Sequence, residues 1–146
     1  MKKPAAEVAD LTFQLLAGCR AKEERFSKQL SLFVPEFRCL RAFRGEQQVN
    51  IKTLVERMNV SGSRLTRILD GLSERGFLTR AIAVHDRRGI TVTLSPKGIA
   101  LSKRLEESYV AIHEEILRGI PKDQHATLVA SLERLLTSLE QWLRTS

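Results

Sequence analysis

The chain has 146 residues, 42% apolar and 28% charged, enough for one domain with a modest core. Its formal net charge of +7 makes a polyanionic partner worth testing, and no apolar run approaches the roughly 20 residues that span a bilayer. The start, MKKPAAEVADL, lacks the apolar segment of a secretory signal. Two cysteines, Cys19 and Cys39, make no disulfide framework, and together these features lead us to expect a cytoplasmic protein with no membrane contact.

The charge is unevenly spread. Between Lys52 and Arg104 there are eleven Lys and Arg against four Asp and Glu, while the rest of the chain carries thirteen of each. The whole excess is therefore central, which suggests a basic module flanked by segments with another task.

In chain order, PAAEVADLTFQLLAGCRAKEERF reads as a helix, with Val8, Leu11, Leu15, Cys19 and Phe26 near one face. Pro35 suits the first turn of a short second helix carrying Phe37, Leu40 and Phe43. GEQQVN is a connector with room for a short strand, and Asn50 caps IKTLVERM. Asn59 and Val60 turn the chain, Ser61 caps GSRLTRILDGLSER, and Leu65, Ile68, Leu69 and Leu72 form the inner stripe of that helix. Gly76 supplies the left-handed residue after it. FLTRAIAV and ITVTL read as strands joined by the tip HDRRG. Ser95-Pro96 opens a long helix with Leu101, Leu105, Ile112 and Ile116, closed by Gly119 and Pro121. The last helix, KDQHATLVASLERLLTSLEQWLR, places Leu128, Leu132, Leu135, Leu139 and Trp142 three and four apart.

The expected fold class is mainly α with a small β-hairpin wing: a helix-turn-helix followed by a hairpin, between long N- and C-terminal helices. We expect a single domain over 1–146, with a winged-helix lobe at 35–98 and dimerisation helices at 5–30 and 99–146. The apolar stripes of the terminal helices exceed what so small a lobe covers, and a second copy of the chain is the economical cover.

The middle of the chain resembles the MarR (multiple antibiotic resistance regulator) family of winged helix-turn-helix regulators. The likeness is carried by Asp86, Arg88, Leu94-Ser95 and Gly98 around the wing, and by Leu69, Leu72, Gly76 and Arg80 in IKTLVERMNVSGSRLTRILDGLSERGFLTR. It is close from about Leu54 to Gly98. Two departures are Phe33, where the family usually caps its second helix with Thr or Ser, and AIAVH, more apolar than the usual approach to the wing.

The resemblance implies a homodimeric transcriptional regulator that reads an inverted repeat in double-stranded DNA, a repressor relieved by a small-molecule effector or an oxidant. Ser61, Ser63, Arg64, Thr66 and Arg67 are the candidate recognition-helix contacts. An arginine can donate two parallel hydrogen bonds to guanine in the major groove. At the wing, the resemblance makes Arg88 the minor-groove reader and Asp86 its brace; Arg87 reads as a phosphate contact or as simply exposed, and narrow minor grooves attract guanidinium groups. A rival reading is a winged-helix interaction module that binds an acidic protein without specific DNA binding.

Cys19 and Cys39 are candidates for a redox switch, with Arg20, Arg38 and Arg41 close enough in sequence to lower a thiol pKa; a buried, inert thiol is the stronger expectation. His113-Glu114-Glu115 and Cys19-Glu23-Glu24 lack compact metal-ligand spacing, His85 at the wing is expected near phosphate rather than on a metal, and His125 reads as a helix-surface or interface residue, so neither metal nor cofactor is expected. No catalytic signature is present: there is no phosphate loop, nucleophile elbow or HExxH.

Overall fold

Six α-helices and three short strands follow one another in a computed structural model that describes residues 3–82 and 89–146. They are α1 (Pro4–Gln29), α2 (Val34–Ala42), β1 (Gln48–Asn50), α3 (Ile51–Met58), α4 (Gly62–Glu74), β2 (Leu78–Ile82), β3 (Ile90–Leu94), α5 (Pro96–Leu117) and α6 (His125–Thr145), with a 3-10 turn at Lys122–Gln124 before α6. The expected order of elements therefore stands. The last helix starts three residues later than its sequence suggested, because Lys122–Gln124 winds more tightly first.

Local chemistry sets most boundaries. Asn50 Oδ1 accepts from the Lys52 backbone N–H at 2.8 Å and opens α3. Asn59 closes α3 in the left-handed region, φ 53°, which Asn tolerates better than most residues. Ser61 Oγ accepts from the Arg64 N–H at 3.2 Å and opens α4. Gly76, φ 77°, ends it, with Phe77 N–H donating to Leu72 O and Gly76 N–H to Ser73 O, the two bonds of a Schellman closure.

β3 is the central strand, antiparallel to both neighbours, in the order β1-β3-β2. Val49 faces Val92 in one register and Leu78 faces Leu94 in the other. The sheet, α2, α3 and α4 enclose a core of Phe37, Leu40, Phe43, Leu54, Leu65, Leu69, Leu72, Leu78 and Val92, all nearly inaccessible. Phe26 of α1 meets Phe37 edge-on, with ring centroids 5.5 Å apart.

The chain divides into two compact units, residues 1–106 and 107–146. The first thus includes α1, which packs on α2. In it, Val8, Leu11, Phe13, Leu15 and Leu16 are exposed. In the second unit no α6 residue is buried, and Val129, Leu132, Leu136, Leu139, Trp142 and Leu143 are exposed. His125 has a role that its sequence context did not reveal: its Nε2–H donates to the carbonyls of Leu117 (3.0 Å) and Ile120 (2.9 Å), bracing the turn that follows α5. Among the described residues, no helix is long and apolar enough to cross a membrane.

Candidate nucleic-acid interface

α4 has two faces because its apolar residues recur every three or four positions. Leu65, Ile68, Leu69 and Leu72 are buried, which turns Ser63, Arg64, Thr66, Arg67 and Asp70 outward. The five recognition-helix residues picked out in the sequence therefore share the exposed N-terminal part of one helix. Asp86, Arg87 and Arg88, and with them His85, lie outside the described residues.

The hydroxyls on this face are partly committed. Ser61 caps the helix and lies 3.3 Å from Ser63 Oγ. Thr66 donates its hydroxyl proton to Gly62 O at 2.9 Å. What Thr66 still offers is a methyl group and oxygen lone pairs, which suit a thymine methyl or a base amino group rather than a phosphate. Arg64 and Arg67 remain the strong donors. Asp70 is held by Arg80 of β2, with Oδ1 2.5 Å from the guanidinium. That pair neutralises a charge that would repel DNA and leaves the N-terminal part of the outward face, with Arg64 and Arg67, positive; Glu74, the other exposed acid of α4, stands at its far end.

A second carboxylate seats the helix from behind. Glu36, 5% exposed, accepts from the Phe33 N–H at 2.9 Å and lies 3.6 Å from Arg75 at the end of α4. Phe33 has no side-chain acceptor, so only half of a capping box forms, and Glu36 supplies it. A Cβ added at Gly71 would come within 3.0 Å of Glu36 Oε2, so glycine allows this close approach of α4 to α2. Sequence reasoning missed Glu36; the trace it left is an acid three residues after a helix boundary, disguised by a phenylalanine at the cap.

The far end of α4 is tied to α5. Ser95 Oγ donates to Gly76 O at 2.6 Å and accepts from the Gly98 N–H at 3.0 Å. Lys97 Nζ donates to Arg75 O at 3.0 Å, and both cations lie over the Phe77 ring, 4.9 Å and 5.1 Å from its centroid. These contacts hold the start of α5 against the end of α4.

The MarR family model matches residues 32–90. The HTH-type transcriptional regulator PecS of Dickeya dadantii is 30% identical over 136 residues, 91% of this chain and 81% of that protein. The chain belongs to the MarR family. An HTH-type transcriptional repressor of Mycobacterium tuberculosis is 26% identical over 130 residues, covering 89% of this chain and 94% of that one. The reduced form of MarR from Escherichia coli has a TM-score of 0.70 at 26% identity, over 84% of this chain and 94% of that chain. A cysteine mutant of the same protein, solved in complex with operator DNA, has a TM-score of 0.71 at 24% identity over 92% of this chain and 99% of that chain, a likeness of fold.

Within this MarR-family fold the two cysteines differ. Cys19 is exposed on α1, with Lys22 Nζ 3.9 Å from its sulfur. Cys39 is fully buried in α2, and burial, reinforced by the neighbouring charge of Glu36, pushes its thiol from 9.0 up to about 12. A thiol so held has no thiolate to react at neutral pH. We expect iodoacetamide at pH 8 to label Cys19 within minutes and to spare Cys39 in the folded protein, as read by mass spectrometry of the peptides. Rapid labelling of Cys39 would show that its site opens. The same shift acts on stability: folding favours the protonated thiol, so its contribution is complete below about pH 9 and is lost as pH rises toward 12. His113 contacts the Tyr109 ring and carbonyl, and among the described residues no His, Cys, Asp and Glu cluster is arranged to hold a metal.

Proposed function

We propose that the protein is a sequence-specific, double-stranded-DNA-binding transcriptional regulator of the cytoplasm, without enzymatic activity, that acts as a homodimer on an inverted repeat. The observation that carries this is the outward face of α4, where Arg64 and Arg67 project from a buried leucine stripe and Asp70 is neutralised by Arg80. Such a helix fits a major groove, with each bidentate arginine–guanine pair worth about 1–3 kcal/mol of discrimination. The repressor named among its relatives supports repression as the mode of action. Arg88 is assigned to the minor groove, Asp86 to orienting it and Arg87 to phosphate, on the sequence pattern around the wing. Relief by a small-molecule effector or an oxidant completes the proposal.

The dimer rests on apolar surface. The exposed leucines and phenylalanine of α1, and those with Trp142 on α6, are more than a small monomer ordinarily leaves in water. Two α4 helices related by a twofold axis would enter successive major grooves, with half-site centres one turn, roughly 10 bp, apart.

Selection of bound duplexes from a random pool tests the reading. An enriched inverted repeat with that spacing is the expected result; a pool that stays random after several rounds would reject sequence-specific binding. In the same assay Arg88→Ala is expected to weaken binding to the selected site by tenfold or more, with the melting temperature within a degree or two of the parent. Binding equal to the parent would remove Arg88 from the interface.

A further inference from the structure

Arg38 and Arg41 stand one turn apart on α2, and Arg44 follows in the turn after it. Folding brings these three to Arg57 of α3 and Arg64 of α4, and the five line a single cleft of about 470 Å³. Met58, Val60 and Ile68 add apolar lining, and Glu23 is, among the described residues, the one carboxylate in its wall. Neither the core nor the reading face of α4 requires three arginines from α2 and its turn.

The five are unequally engaged. Arg57, whose side chain is 19% exposed, is structural: it donates to Ala42 O at 2.9 Å and pairs with Glu46 at 2.9 Å, closing the end of α2. Arg38 pairs with Glu23 at 2.7 Å and Arg41 with Glu106 at 2.8 Å, both about half exposed, so water weakens these pairs and an entering anion can compete for the guanidinium groups. Arg44 and Arg64 have no carboxylate partner among the described residues.

Arg44 also stands where its backbone disfavours it. It occupies the first position past α2 in the left-handed region, φ 52°, with its N–H on Arg41 O. Glycine is the residue that reaches this conformation freely, and the chain places glycine only at the next position, Gly45. An arginine in this conformation costs stability relative to glycine.

We propose that this cleft is an oxyanion site for a phosphate group. Guanidinium groups converging from three elements match a tetrahedral group with several acceptor oxygens better than a planar carboxylate, which one arginine saturates in a bidentate pair. The phosphate comes either from a small free phosphate compound or from the DNA backbone beside the major groove; the second source rests on the DNA-binding reading above. The two have opposite consequences because Arg64 belongs to both the cleft and the reading face. A free phosphate draws Arg64 away from DNA and opposes binding, whereas a backbone phosphate adds to it.

The test uses the full chain, its Arg44→Gly and Arg38→Ala variants, and pyrophosphate and inorganic phosphate as probes, with ionic strength fixed by chloride. If the source is free phosphate, calorimetry shows saturable binding that weakens tenfold or more in both variants, and the probe lowers DNA affinity of the parent only. If the source is DNA, the probes do not bind, and Arg44→Gly weakens binding to a duplex extended beyond the half-sites but not to a trimmed one, reducing the salt slope by about one per protomer, about two for the dimer. In either case Arg44→Gly melts at or above the parent temperature, which separates its effect from misfolding. The proposal is overturned if Arg44→Gly and Arg38→Ala match the parent in both phosphate binding and affinity for both duplexes. If the parent itself binds neither duplex, the DNA-binding reading fails and calorimetry alone decides the cleft: saturable phosphate binding weakened in both variants upholds it, and no such binding overturns it.

Discussion

Arg67→Ala is expected to weaken binding to the selected operator by roughly 30-fold or more, because the homodimer loses one bidentate base contact of about 1–3 kcal/mol in each half-site. Arg67 is exposed in the middle of α4, one turn before the Asp70–Arg80 pair, and makes no ion pair among the described residues. Its removal should therefore leave the fold alone, with a melting temperature within a degree or two of the parent. The loss should also be selective: affinity for a scrambled duplex falls far less, because a base contact carries discrimination and a phosphate contact does not. Fluorescence anisotropy on matched and scrambled duplexes separates the two. Equal losses on both would make Arg67 a phosphate contact, and no loss on either would remove it from the interface.

Gly98→Ala is expected to have the largest effect on stability. A Cβ at this position would lie 1.9 Å from the Phe77 carbonyl oxygen and 2.9 Å from its carbon, closer than atoms approach. The carbonyl cannot retreat easily, because it also accepts from the Ser95 N–H at 3.0 Å. Relief requires the start of α5 to move off the β2 entry, and with it the ties from Ser95 and Lys97 to the end of α4. We expect a loss of about 3 kcal/mol, at the upper end for an overpacked site, and a melting temperature lower by roughly 6–12 °C for a chain of this size. A melting curve that superimposes on the parent would show that the junction is softer than its geometry implies. Because the junction holds α4, DNA affinity should fall as well, even well below the melting transition.

These two residues show what was and was not legible in the sequence. Arg67 was readable because helical periodicity assigns each position to a face, and α4 alternates leucines with cations cleanly. The caps at Asn50, Ser61 and Ser95 were readable because they act within three residues of themselves. Gly98 was noticed only as part of a family pattern; its physical cause is the close passage of the Phe77 carbonyl, 21 positions earlier, which no local pattern encodes. The same holds for Glu36 and Arg75, for Asp70 and Arg80, and for Arg57 on the α2 carbonyls. Each pair joins different elements, and periodicity names a face without naming the partner across it. The arginine cleft was hidden for the same reason. Counting charge along the chain placed the whole excess between Lys52 and Arg104, while folding carries Arg38, Arg41 and Arg44 from a balanced segment to its side.

Charge and discrimination must act together if α4 reads DNA, and one titration addresses both. Anisotropy of the selected duplex, measured from about 50 to 200 mM salt with excess scrambled competitor, should show affinity falling by several orders of magnitude as counterions are released at phosphate contacts. At every salt concentration the selected site should remain at least 100-fold tighter than the scrambled one. Equal affinity for the two duplexes throughout, or binding indifferent to salt, would contradict the account.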